Sequence, residues 1–175
     1  MTKPRPSQWA RTAAYGALAG AAGGLAEILW IAFYGTLSGS NASEVAQAIS
    51  AVMSAALPSA AWTEAPVVAG IAIHMLAAIG LGVALVIVWR TLALRGPGAI
   101  GVYSFMLAAL AAVWTFNFFV VLPLIGPNFA DLTRIFIEVV PYPASLLSKL
   151  LFGLAAAAML RYGKADGPAV VRAGS

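Results

Sequence analysis

Four residues of this chain are of types that do chemistry, and each stands alone in an otherwise apolar stretch: Glu27, His74, Asn117 and Lys149. Counted along a helix at about 1.5 Å per residue, Glu27 and His74 each fall roughly 12 Å in from the same end of their stretches, and Asn117 and Lys149 roughly 8–9 Å. An acid, a base, an imidazole and an amide at nearly one depth could relay protons, or hold a small polar solute or a lipid head group. The same residues also have plainer uses. Glu27 and Lys149 can form an ion pair that only sets helix register, and Lys149 can instead snorkel outward from its place near a helix end. His74 can be an interhelical hydrogen-bond partner, and Asn117 polar glue between helices. Glu27 shares a helical face with Gly20, Gly23 and Gly24, and Lys149 with Ser145, Gly153 and Ala156, which points both inward. His74 has Gly70, Ala77 and Ala78 as helical neighbours. Asn117 lies among the bulky Val113, Trp114 and Val121, so its inward placement has the least support.

Other chemistries are short of residues. With no cysteine and a single histidine, the chain cannot build a disulfide, a thiolate site or a bis-histidine haem, and a zinc or copper site lacks ligands within one chain. No cofactor and no metal are expected. There is no P-loop and no GxSxG, and no strand precedes the glycines near the N-terminus. A hydrolytic nucleophile would have to be Ser145 or Ser148 beside Lys149, so no catalytic residue is assigned and the balance is against an enzyme.

The elements that position these groups follow from composition. The chain has 175 residues, 62% hydrophobic and 9% charged, with mean hydropathy +0.92. A soluble domain is about a quarter charged. A chain this small could not hide so much apolar surface from water, so lipid is its expected solvent. Four stretches reach the roughly 18–20 residues a membrane helix needs: 12–35, 66–89, 98–122 and 144–161. The predicted class is an all-α integral membrane protein with four transmembrane helices and two short interfacial helices on the outer side. Residues 1–11 form a basic tail, 12–162 the membrane domain and 163–175 a second tail. Pro66 and Pro123 fall at span ends, and Arg95-Gly-Pro-Gly98 reads as a tight turn joining spans two and three into a hairpin. No removable signal peptide is expected.

Lys3, Arg5, Arg11, Arg90, Arg95, Arg161, Lys164 and Arg172 fall on one side of this arrangement, against Arg134 alone on the other. Cytoplasmic loops carry the excess of Lys and Arg, so both termini are expected inside. The net charge of +4 is thereby assigned to orientation and anionic lipid, not to nucleic acid. The first outer loop has Asn41 and Glu44 in capping-box spacing, then Val45, Ile49, Val52, Met53 and Ala56 on one face. The second has the stripe Phe129, Leu132, Ile135, Phe136 and Val139 opposite Asp131, Arg134 and Glu138. Both are expected to lie along the membrane surface, as covers or as a gating lid.

Gly16, Gly20 and Gly24 form a double GxxxG, and Gly153 with Ala156 and Ala157 a second small-residue stripe. Such stripes let helix backbones approach closely, here within the bundle in preference to a second copy. Leucine at Gly20 is expected to damage packing, and leucine at Gly70 or Gly82 to be milder. The function favoured at this level is a non-catalytic subunit or scaffold that binds other membrane proteins or lipid. The alternative is a minimal proton or small-solute transporter or channel built on the polar cluster. The Ala-rich, Lys-poor usage suits the cytoplasmic (inner) membrane of a GC-rich bacterium. What separates the two functions is whether Glu27, His74 and Lys149 meet in a dry paired cluster or on a cavity.

Overall fold

A computed structural model describes residues 6–56, 64–92, 99–125 and 138–162. They form α1 (Pro6–Ser38), α2 (Ser43–Ala56), α3 (Pro66–Thr91), α4 (Ala99–Phe116), a π-helical turn (Asn117–Val121), α5 (Leu122–Ile125) and α6 (Tyr142–Tyr162). Four helical segments are long and apolar enough to cross a membrane: Trp9–Ser38, Pro66–Thr91, Ile100–Leu124 and Tyr142–Arg161. Their outward faces carry exposed Leu29, Leu76, Ile100 and Phe119, an apolar exterior that suits lipid better than water.

The helices run past the expected spans. α1 has 33 residues and so is about 50 Å long, well over the roughly 30 Å of a hydrocarbon core. It passes through Gly35 and ends before Gly39, whose φ of +70° turns the chain at little cost in a residue without a Cβ. α6 has 21 residues, which relaxes the need for the fourth span to stand upright. Pro123 falls, as expected, at the end of the third span, one residue before Leu124, in the short α5. Proline cannot donate to the carbonyl four residues back and crowds it. Immediately before it the helix widens into the π-helical turn, where the Leu122 N–H bonds to the Asn117 carbonyl five residues back.

α1 lies at the centre, packed against α3 on one side and α6 on the other, and α4 packs on α6. The expected hairpin is therefore loose: α3 and α4 follow each other in sequence, but their principal neighbours are α1 and α6. They meet near one end, where the rings of Trp89 and Phe105 are 5.1 Å apart. The Arg95–Gly98 turn lies outside the described residues. The α1–α3 contact is made by backbone. A Cβ on Gly16 would stand 2.5 Å from the Val83 Cα, and one on Gly20 would overlap the Ala78 carbonyl. Gly24 faces Ala78 and Met75, so the GxxxG stripe is occupied by α3 of the same chain. Gly23 is covered by the Phe152 ring of α6, and Gly153 lies against the Met106 carbonyl of α4.

Both mildness expectations fail here. A Cβ on Gly82 would collide with the Gly16 carbonyl and the Gly20 backbone, and one on Gly70 with the Ala46 carbonyl. Gly82 is the other half of the Gly16–Gly20 contact, and Gly70 is the seat of α2.

Arg11, Arg90 and Arg161 gather at one end of the bundle, where Arg90 donates to the Thr12 hydroxyl. That half is filled by Leu85, Val86, Met106, Leu110 and Phe152. The opposite half holds a second cluster of Ala48, Phe118, Leu122, Val139, Val140 and Ala144. α2 joins this half as a packed element, not a strip lying beside it: Ala46 rests on α3, and Ala48 and Ser50 are buried. Its start is fixed by Asn41, whose side-chain oxygen accepts the Ser43 N–H at 3.1 Å and the Ser43 hydroxyl at 2.7 Å. Of the second outer segment only Glu138 and Val139 are described, the first exposed and the second buried. The rest of that expected helix lies outside the described residues.

Candidate functional site: a buried carboxylate beneath a roofed cavity

Glu27 sits on the central helix, on the face between the α3 and α6 contacts, and is 3% exposed. Its Oε1 is 2.5 Å from the Lys149 ammonium of α6. Its Oε2 is 3.7 Å from Nε2 of His74 on α3, too long for a hydrogen bond. The Ser148 hydroxyl donates to the Ser145 carbonyl at 2.7 Å and stands 3.3 Å from Glu27 Oε1. A carboxylate this deep is tolerable because an opposite charge and hydrogen-bond donors surround it. The position of Lys149 settles its alternatives geometrically: the ammonium turns inward to Glu27 and does not snorkel.

Three helices thus bring Glu27, His74 and Lys149 together, as their shared depth suggested. Asn117 joins less closely. It lies on the wall of the same cavity but is more than a third exposed. Asn117 opens the π-helical turn, which carries a ring cluster. The Trp114 and Phe118 rings lie tilted at 5.1 Å, Phe118 meets Tyr142 edge-on at 5.1 Å, and the Trp114 indole donates to the Ser145 hydroxyl at 3.2 Å. Trp30 on α1 donates to the Ala144 carbonyl at 2.9 Å, locking α1 to the start of α6. These two indoles hold the register that puts Lys149 opposite Glu27.

Above this polar floor is a cavity of about 360 Å³. Its walls are Ile28, Ile31 and Ala32 of α1, Val67, Gly70 and Ile71 of α3, Phe118 of the π-helical turn and Val140. Ala42, Ser43, Val45, Ala46 and Ile49 form its roof. Apolar walls with a few convergent polar groups are the usual make-up of a small-molecule site, at a size near the lower end of such sites, roughly 300–1,000 Å³. His74 Nε2 is buried without a hydrogen-bond partner, and His74 is among the residues that line this space. Buried polar atoms are nearly always bonded, so an orphan beside a cavity marks a place for water or ligand.

Neither serine is set up for nucleophilic attack. Ser148 points at a carbonyl, Ser145 accepts from Trp114, and Lys149 is engaged by Glu27. Among the described residues no three His, Cys, Asp or Glu side chains gather as metal ligands. The contact of Ser148 with Glu27 and the α2 roof are the parts of the site that the residue pattern does not single out. Ser148 has a signal in the sequence, as the neighbour of Lys149 and three residues from Ser145; nothing in α2 distinguishes a roof from a surface helix. Compared with family models, curated proteins and solved structures, the chain matches none.

Proposed function

We propose that this chain is a four-span protein of a bacterial cytoplasmic membrane, with both termini in the cytoplasm, that binds a small solute over the Glu27–His74–Lys149 floor. One observation carries it: the three side chains converge beneath a roofed cavity with a buried imidazole nitrogen left unbonded. A scaffold subunit would be served by a dry, fully paired cluster, and the glycine stripe that a partner helix could have used is taken by α3. The site is a binding or carrier site and not an open pore, because Met106, Leu110 and Phe152 fill the basic half of the bundle. Orientation rests on the basic residues at that half's end, which the positive-inside bias places in the cytoplasm. The cavity then lies in the outer half of the membrane.

His74 is the only histidine, so it reports on the site without assignment. In protein carrying nitrogen-15 histidine, reconstituted in nanodiscs and purified by a histidine-free tag, the imidazole is expected to show magnetisation transfer with water. A His74 ring with no water contact would mean a dry cluster and would return the chain to the scaffold reading. The orientation is checked separately. In intact cells, Ser40→Cys is expected to react with a membrane-impermeant thiol reagent and Ser175→Cys to stay unlabelled until the cells are opened; the reverse pattern inverts the topology.

A further inference from the structure

We propose that the cavity takes a monovalent carboxylate with an apolar body, and that each anion enters together with one proton, held between His74 and Glu27. This rests on the ligand-binding function above and gives that site a ligand class and a coupling to pH.

The proton's place follows from the two carboxylate oxygens. Lys149 occupies Glu27 Oε1 at 2.5 Å, with the Ser148 hydroxyl 3.3 Å from the same oxygen. Oε2 has His74 Nε2 as its neighbour at 3.7 Å, and that nitrogen is buried with no hydrogen bond. A carboxylate oxygen only accepts, so one proton satisfies both atoms. An imidazolium donates from both nitrogens, whichever of them carried hydrogen before. Its charged bond to Oε2 would draw the ring in by about 1 Å, since such bonds are about 2.8 Å long.

The ligand class follows from a count of charges. The floor has one acid and two bases, so its charges sum to zero without this proton and to a single positive charge with it. Among the described residues, Glu27, His74 and Lys149 are the titratable groups on the cavity walls. α2 brings Ser43 to those walls and the π-helical turn brings Asn117, both neutral, while Arg90 is in the last turn of α3 at the basic end. A proton alone, or an anion alone, would leave an unpaired charge among apolar walls. Together they cancel. Lys149 lines the cavity with its side chain 24% exposed, and its ammonium keeps N–H groups beyond the one given to Glu27, which are donors for a carboxylate. A neutral molecule of the same shape gains nothing from the proton, and a cation is repelled by it.

The probe is benzoate, which stays ionised above about pH 6, with benzyl alcohol and phenyltrimethylammonium as neutral and cationic probes of similar shape. In nanodiscs, calorimetry in buffers of different ionisation enthalpy is expected to show one proton taken up per benzoate bound, at a pH where the empty site has lost it. Above the titration midpoint of the empty site, benzoate affinity should fall about tenfold per pH unit. By reciprocity, benzoate should raise the nitrogen-15 titration midpoint of His74. Benzyl alcohol should bring no proton, and the cation should not bind. His74→Gln cannot carry the proton and should lose the pH slope; if that variant does not fold, the wild-type measurements decide. No benzoate binding, binding without proton uptake, or benzyl alcohol binding as tightly as benzoate would overturn the proposal. So would proton uptake with an unmoved His74 resonance, which would place the proton elsewhere. Any of these with water still in contact with His74 leaves the binding site standing and removes only this proposal; a dry His74 removes both.

Discussion

Glu27→Gln is expected to lower the stability of the purified protein sharply, Lys149→Met to lower it at least as much, and the two together to recover most of the loss. The reason is the asymmetry of a buried pair. Removing one partner leaves a charge without compensation, at a cost of about 3–5 kcal/mol, whereas removing both can be nearly neutral. The environments of the two residues decide which single change is worse. The Glu27 side chain is 4% exposed and that of Lys149 24%. Left alone, the lysine can swing its long stem toward the rim, but the carboxylate is fixed on the central helix and cannot leave. Lys149→Met should therefore be the more damaging. A double-mutant cycle on unfolding in mild detergent measures the coupling directly. Strictly additive losses would mean that the 2.5 Å contact contributes nothing and that the two side chains act apart. Ser148→Ala supplies a calibration: its hydroxyl donates chiefly to the Ser145 carbonyl, so its loss should cost only about 1 kcal/mol.

The meeting of Glu27 and Lys149 is legible in the amino-acid sequence, because a charged residue in an apolar helix must find a partner and depth can be counted at about 1.5 Å per residue. The four long helices are legible for the same reason: hydropathy over about 20 residues is a property of one segment and needs no knowledge of its neighbours. What is not legible depends on how segments meet. Gly82 stands among Leu81, Val83 and Leu85, and by itself looks like a glycine that lipid could surround; only the antiparallel docking of α3 on α1 turns it against Gly20. The same holds for Gly70, whose empty side is filled by the Ala46 carbonyl, a partner outside the four spans. The apolar face of α2 is visible in the residue spacing, but a stripe that meets lipid and one that roofs a cavity have the same spacing. Pro123 suggests a span end because proline disfavours helix interiors. The span does end there, at Leu124, but the widened turn from Asn117 to Val121 before it has no such signal, nor has the ring cluster of Trp114, Phe118 and Tyr142 that anchors that turn on α6.

Gly82→Leu is expected to be among the most damaging single changes in the chain, alongside Gly20→Leu. The two glycines face each other where α1 and α3 approach backbone to backbone, so neither helix has a side chain there that could move aside. A leucine at either place can be fitted only by pushing the helices apart. Overfilling a packed interior costs about 1–3 kcal/mol, and more when backbone must give way. The separation would also carry His74 away from Glu27, since both lie on the same pair of helices two turns beyond the contact. Even alanine at position 82 should destabilise, because its first added atom already meets the Gly16 carbonyl and the Gly20 Cα. Gly80 provides the contrast. It is on the same helix, exposed, and a Cβ there would meet nothing within 4 Å. Gly80→Leu should therefore be neutral or slightly stabilising, by up to about 1 kcal/mol from helix propensity alone. Thermal unfolding of the four variants in one detergent is the measurement. A Gly82→Leu protein that melts with the Gly80→Leu protein would show that α3 does not dock on α1 through this face, and with that docking would go the placement of His74 beside Glu27.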